Sequence, residues 1–292
     1  MSQMVELLEQ FNLNELFNKS HLNGVRFFKS GTHICRSPLL YNTGIFIVAQ
    51  GQKIGYLGER SFQYDAQNYL VTSLPIPFEC ETFAQPDKPF LGLYVDIDMP
   101  MLHELIGLLG QNSTGRDLSV AEIPKGVGPA TMDMEMSDTV IRLLKCLKSE
   151  TEASILGPGL VREIIYRALR GSQAQSLYAL AAHDGKFARI SKALMMIHRD
   201  CSIKDDVTHL AESANMSLST FHRAFKEITS ESPGQYIKKV RMNKAKELIK
   251  NERMKVYIAA HKVGYESVSQ FSREFKKFFG ESPTEIMNSK SE

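Results

Sequence analysis

The spacing of apolar and polar positions changes character along the chain. From Gly24 to Asp98 apolar residues fall in short alternating or continuous runs broken by Gly, Pro, Asn and Asp. These runs predict strands at Val25–Lys29, Ile45–Gln50, Lys53–Leu57, Phe62–Tyr64, Tyr69–Ser73, Phe78–Thr82 and Leu91–Ile97. About seven or eight short strands at this spacing indicate a sandwich or barrel. The period then lengthens to that of helices, over Met101–Leu109, Pro129–Ser149, Ile155–Arg170 and Gln175–Ala182. LVREIIYRALRG is the clearest of these, with Gly171 as its stop. The last hundred or so residues are helical throughout.

Within that last third the chain repeats itself. FHRAFKEITSESP (Phe221 to Pro233) recurs as FSREFKKFFGESP (Phe271 to Pro283) at an offset of 50 residues, with Ser217/Ser267 and Ser219/Ser269 matching upstream. In the first copy Asp205-Asp206 opens a short helix carrying Val207, Leu210, Ala211 and Ala214, because carboxylates favour a helix N-terminus. A break at Asn215-Met216 follows, and Ser217 caps the next helix. There Leu218, Phe221 and Phe225 form one buried stripe, which turns Ser219, Thr220, His222, Arg223 and Lys226 outward. In the second copy Val256, Ile258, Ala259 and Val263 make the short helix, Gly264-Tyr265 the turn and Ser267 the cap. Phe271, Phe275 and Phe278 are buried, leaving Ser269, Gln270, Ser272, Arg273 and Lys277 exposed. Two short helices joined tightly, the second presenting hydroxyl, amide and guanidinium groups, form a helix-turn-helix reader of the DNA major groove. Each Glu-Ser-Pro starts a further helix, with Ser as cap and Pro first. After Pro233 the basic amphipathic run GQYIKKVRMNKAKELIKN gives a rod of roughly 18 residues, about 27 Å long, fit to hold two readers about one DNA turn apart.

These residues resemble the AraC/XylS family DNA-binding domain. The resemblance is carried by the leading helix KFARISKALMMIHRD, Leu210-Ala211, Met216-Ser217, Phe221-x-Arg223-x-Phe225-Lys226 and the Ser-Pro-Gly-Gln-Tyr-Ile opening of the linker helix. It continues through Val263-Gly264-Tyr265 and Phe271-Ser272-Arg273-x-Phe275-Lys276-x-Phe278-x-Gly280-x-Ser282-Pro283. It implies base reading by Ser219, His222 and Arg223 in the first unit, and by Val268, Ser269, Gln270, Ser272 and Arg273 in the second. Phosphate contacts are expected from Lys226, Lys238, Lys239, Lys276 and Lys277. Pro38-Leu39-Leu40-Tyr41, Ile45 through Lys53 and Asn68 through Pro77 are similar to the cupin-like N-terminal effector domain of an AraC-type subgroup. That likeness implies a ligand pocket in a small barrel and dimerisation through the following helices. The expected fold is therefore α+β in two domains: a cupin-like effector and dimerisation domain over 1–184, and an all-α double helix-turn-helix domain over 185–292 with motifs at about 205–229 and 255–279.

Charge supports this division. The 292 residues carry a formal charge of +2, yet residues 186–292 hold 20 Lys and Arg against 13 Asp and Glu, so an acidic half carries a basic one. The basic end predicts a polyanion partner, duplex DNA. Four scattered cysteines, Cys35, Cys80, Cys146 and Cys201, include no CxxC pair, which disfavours a zinc cluster or structural disulfide. No apolar run reaches the roughly 18 residues of a membrane span, and the acidic, helical MSQMVELLEQFNLNEL start is unlike a signal peptide, so the chain reads as cytoplasmic.

The barrel region shows no His-x-His metal set, no phosphate-cradling glycine loop and no nucleophile elbow, so no cofactor, metal or enzymatic activity is expected. Groups available to an effector pocket are Arg26, His33, Arg36 and Tyr41, with Lys53, Tyr64 and Tyr94 further possibilities. Cys35 and Cys80 are candidates for a reactive thiol. The leading expectation is a sequence-specific transcriptional regulator controlled by an unknown small molecule, acting as a homodimer and touching RNA polymerase if it activates. The alternatives are a metal-dependent cupin enzyme tethered to DNA, and an effector-independent factor whose barrel only dimerises. Leu160, Ile164, Ile165, Ala168 and Leu169 make an apolar stripe for either a dimer or barrel cover. Gly171-Ser172-Gln173 and His183-Asp184-Gly185 read as hinges with few contacts fixing the two halves.

Overall fold

The computed structural model describes residues 2–112, 124–182, 185–202, 207–250 and 252–288. A short helix α1 (Gln3–Glu9) leads into β1 (Leu16–Lys19), β2 (Val25–Ser30), β3 (Ile34–Leu39), β4 (Gly44–Gln50), β5 (Gln52–Leu57), β6 (Arg60–Asp65), β7 (Asn68–Thr72), β8 (Phe78–Phe83) and β9 (Phe90–Asp96). These strands form one antiparallel sheet in the order β1-β2-β9-β4-β7-β6-β5-β8-β3, with β10 (Val127–Thr131) added along β7. Helices α2 (Met99–Asn112), α3 (Met134–Cys146), α4 (Glu150–Ala168) and α5 (Ala174–Ala181) complete the N-terminal half.

All seven expected strands are present, and β1, β3 and β10 are added to them. β1 leaves Leu16 and Phe17 exposed, so it lacks an inward alternation. β3 contains Pro38, which an edge strand tolerates because one side of its ladder is unpaired. Pro129 was expected to begin a helix. It instead pairs with Leu70 in β10, and α3 starts at Met134, where the Asp133 carboxylate accepts from the Met136 amide at 2.7 Å. The α4 stripe is also resolved: Ile164, Ile165, Ala168 and Leu169 lie in the chain's own core, while Ile155 and Leu156 face outward.

The C-terminal half comprises α6 (Lys186–Arg199), α7 (Val207–Ser213), α8 (Leu218–Thr229), α9 (Pro233–Lys250), α10 (Val256–Lys262), α11 (Val268–Phe279) and α12 (Pro283–Asn288). Ser217 and Ser267 cap α8 and α11 by accepting from the Thr220 and Gln270 amides. Asp205 and Asp206 lie outside the described residues. The repeat slips by one residue at its turns. Met216 N donates to the Ala211 carbonyl and Tyr265 N to that of Ala260, a spacing of 49 ahead of the turn, and Glu266 is the extra residue that restores 50 beyond it. Left-handed backbone closes each turn, at Asn215 (φ 51°) and Gly264 (φ 88°), where glycine costs nothing sterically. Two stripe members differ from expectation. Leu218 is 45% exposed because the first turn of α8 extends beyond the core, and Phe278 is half-buried.

Apolar contacts divide the linker helix α9 in two. Tyr236, Ile237 and Val240 join a continuous core with α6, α8 and the barrel, whereas Met242, Ala245, Leu248 and Ile249 pack with α10, α11 and α12 in a separate one. Helix α11 also runs alongside β3. A hydrogen-bonded seam ties the halves together at the Pro75 carbonyl between β7 and β8. It accepts from the Tyr236 hydroxyl at 2.5 Å and from His198 Nε2 at 3.1 Å, and His198 Nε2 also donates to Tyr236 Oη at 2.8 Å. The halves are thus fixed by contacts, contrary to a hinge with few of them, because Tyr236 is itself fully buried where they meet.

Candidate nucleic-acid interface and barrel interior

Helices α8 and α11 present their polar faces as the repeat predicts. Ser219, His222, Arg223 and Lys226 are exposed on α8, and Ser269, Gln270, Arg273, Lys276 and Lys277 on α11. Thr220, Val268 and Ser272 are half-buried, so they offer less surface to a partner. Behind these faces, Phe221 packs on Phe225 with ring centroids 5.4 Å apart and Phe271 on Phe275 at 5.3 Å, so both helices are seated by the same pair. Arg223 and Arg273 form no ion pair among the described residues, which leaves two planar forks of donors open.

The linker lysines are differently placed. Lys238 Nζ meets Glu274 Oε2 at 2.9 Å while staying exposed, and the half-buried Lys239 pairs with Glu231, so both are engaged by carboxylates of the domain itself. Arg241 is buried and donates from Nε to the Cys201 carbonyl at 2.8 Å, joining α9 to the segment after α6.

The four effector candidates separate. Arg26 pairs with Asp96 at 2.6 Å, Arg36 with Glu79 at 2.5 Å, and His33 Nε2 with Glu81 at 3.2 Å; all three sit on partly exposed surfaces. Tyr41 alone of the four points into the barrel, where it meets Lys53 and Tyr64, two of the further pocket candidates, and the Cys80 thiol. Lys53 Nζ donates to Tyr41 Oη at 3.2 Å, the Tyr41 and Tyr64 hydroxyls are 3.4 Å apart, and Tyr64 Oη lies 3.3 Å from Cys80 Sγ. Lys53 is 2% exposed, and its ammonium stands 3.9 Å from the Phe28 ring centroid, 5.0 Å from Phe90 and 5.1 Å from Phe46. Burial lowers its pKa to about 8, the partial opposite charge of the Cys80 thiol working the other way. Burial likewise raises the Cys80 pKa, despite Lys53, so this thiol is held protonated, while Cys35 is exposed. Lys53 forms no ion pair among the described residues, and aromatic faces compensate its charge. A neighbouring knot fixes Tyr94, whose hydroxyl donates to the Asn42 carbonyl at 2.5 Å and lies 3.0 Å from Thr72 Oγ1.

Comparison with known proteins agrees in both halves. Residues 21–176 match the AraC-type transcriptional regulator N-terminus, and residues 210–289 match a helix-turn-helix domain. An HTH-type transcriptional regulator of Haemophilus influenzae is 34% identical over 103 residues, 35% of this chain and 35% of that one. The HTH-type transcriptional regulator AlkR of Acinetobacter baylyi is 36% identical over 94 residues, 32% of this chain and 31% of AlkR, so the similarity spans about a third of each relative's length. In fold, wild-type ToxT from Vibrio cholerae strain SCE256 with bound unsaturated fatty acid superposes with a TM-score of 0.63 at 13% identity, covering 94% of this chain and 97% of ToxT. No helix among the described residues is long and apolar enough to cross a membrane.

Proposed function

The chain belongs to the AraC-type transcriptional regulators, and from that premise we propose that residues 185–292 bind duplex DNA sequence-specifically while residues 1–184 hold a small-molecule effector and dimerise. One observation carries the DNA reading. The same polar face recurs on α8 and α11, each seated by a phenylalanine pair, each with an arginine fork open outward. Arg223 and Arg273 suit guanine O6 and N7, with Ser219, His222, Ser269 and Gln270 beside them. Lys226, Lys276 and Lys277 meet phosphates.

The effector site is the barrel interior around Tyr41, Lys53, Tyr64 and Cys80. A buried cation among aromatic rings favours an apolar small molecule with an anionic or hydrogen-bond-accepting head. ToxT, which shares the fold, binds an unsaturated fatty acid. Ile155 and Leu156 on α4 supply the outward apolar surface for a second copy. If the chain activates transcription, RNA polymerase is a further partner.

Titration of the full chain with duplex DNA at increasing salt tests the proposal. Six to ten displaced phosphate counterions should weaken binding by roughly 10³ to 10⁵ between about 50 and 200 mM salt. Affinity that ignores salt refutes it.

A further inference from the structure

The first residue of each reading helix is a branched aliphatic placed directly after the capping serine, Leu218 after Ser217 and Val268 after Ser267. Their settings differ. Val268 is half-buried and packs on the core of the second unit, whereas Leu218 is 45% exposed and joins neither apolar core among the described residues. The hydroxyls around Leu218 are turned on one another. Ser217 Oγ donates to Thr220 Oγ1 at 2.9 Å and accepts from the Thr220 amide at 3.4 Å, and Ser219 Oγ lies 3.4 Å from Ser217 Oγ. Leu218 is left as the open apolar group of that turn. Helical spacing sets it one turn before His222, at i and i+4, on the flank of the polar face that carries Ser219, His222 and Arg223. Its isobutyl group makes no hydrogen bond, so neither a phosphate nor the polar edge of a base gives it a partner.

Among the base edges of the major groove, one apolar group is on offer, the 5-methyl of thymine. Side chains near the N-terminal end of a reading helix are the ones that reach those edges. We propose that Leu218 is a specificity-determining residue for DNA, packing its methyl groups on the 5-methyl of a thymine in the half-site of α8. Val268 spends part of its surface on its own core, so α11 makes the smaller contact of this kind. From Leu218 to Arg223 the helix rises about 7.5 Å, at roughly 1.5 Å per residue. For a helix lying along the groove, this sets the thymine within about two or three base pairs of the pair that Arg223 reads. Covering one methyl group changes affinity by a factor of roughly four. The inference rests on the reading that α8 lies in the major groove.

Competition binding of the full chain to its selected operator tests both levels. Each thymine of the α8 half-site is replaced in turn by deoxyuridine, which keeps the base pairing and removes only the methyl. One such replacement should weaken the wild type by roughly fourfold. Leu218→Ala should bind thymine and uracil at that position within about 1.5-fold, while Leu218→Met, which keeps an apolar reach, should retain the preference. Because Leu218 lies outside both cores, thermal unfolding of the Ala variant should match that of the wild type. Arg223→Ala is measured alongside and should relax preference at a neighbouring base pair. If it does so and no thymine responds to loss of its methyl, or the response persists in Leu218→Ala, the proposal is overturned while α8 remains a reader. If neither substitution alters any base preference, α8 reads no base and both readings fall.

Discussion

Replacing Tyr236 with Phe removes one oxygen from the seam between the barrel and the DNA-reading half. Tyr236 has a single proton, and its 2.5 Å contact gives that proton to the Pro75 carbonyl. His198 Nε2 must then carry a proton of its own to donate to Tyr236 Oη at 2.8 Å and to Pro75 at 3.1 Å. The imidazole is neutral in this arrangement, consistent with burial lowering its pKa to about 4 against the Pro75 bond, which favours the charged form. In Tyr236→Phe the ring keeps its edge contact with Phe225, centroids 5.3 Å apart, and Pro75 keeps His198. The cost should therefore be about 1 kcal/mol, the net worth of one hydrogen bond. His198→Leu should cost a similar amount, because Tyr236 still serves the carbonyl. With both replaced, a buried carbonyl has no partner, adding roughly 1 to 3 kcal/mol. The double variant should thus lose at least about 1 kcal/mol more than the two single losses together. Thermal unfolding of the full chain reads this, at roughly 2 to 4 °C per kcal/mol. Additivity within about 0.5 kcal/mol would show that the two side chains do not share the carbonyl, and refute the reasoning.

The same histidine predicts a pH dependence. Free imidazole titrates near 6.5 and His198 at about 4, so between these values the unfolded chain binds a proton that the folded chain refuses. Stability should fall by about 3 kcal/mol as pH drops through that window, and acid titration of His198→Leu should lack this component. Lys53 works at the other end: its pKa of about 8 against 10.5 means that stability rises between those pH values. Lys53→Met should remove that rise in pH-dependent unfolding and stabilise the neutral protein by up to about 3 kcal/mol; a less stable variant at pH 7 would contradict this. Arg223→Ala and Arg273→Ala should each cost about 1 to 3 kcal/mol on the selected operator and much less on random duplex; equal losses on both would reassign them to phosphates. Ile155→Glu should shift sedimentation toward the monomer, and an unchanged assembly would move the dimer surface off α4.

The DNA-reading half was readable because its information is local. Phe221, Phe225, Phe271 and Phe275 recur at helical spacing, and the polar faces follow by geometry. The barrel resisted for an equally physical reason. In β5, Ile54 and Tyr56 suggest the inward set, yet Lys53, Gly55 and Leu57 are buried and the two larger apolar side chains lie on the outer, half-covered face. A one-residue change of phase moves a strand's entire set between faces, so only the paired strands reveal that Lys53 stands opposite Tyr64 and Thr82. Glu274, which pairs with Lys238, stands out in the repeat itself, a charge where its partner Ala224 is apolar. The Pro75 seam had none, since its partners are 123 and 161 residues away.

The division of the linker helix between two cores makes α9 a torsion bar. Its first half turns with the barrel and the first reader, and its second half delivers the same angle to the second reader. DNA advances roughly 34 to 36° per base pair, so two readers at a fixed angle accept one helical phase between their grooves. Winding strain in the template changes that phase without changing a base. In the proposed DNA complex a continuous α9 held in both cores ties the two readers to one helical phase, so a negatively supercoiled operator and its relaxed copy would present two different fits.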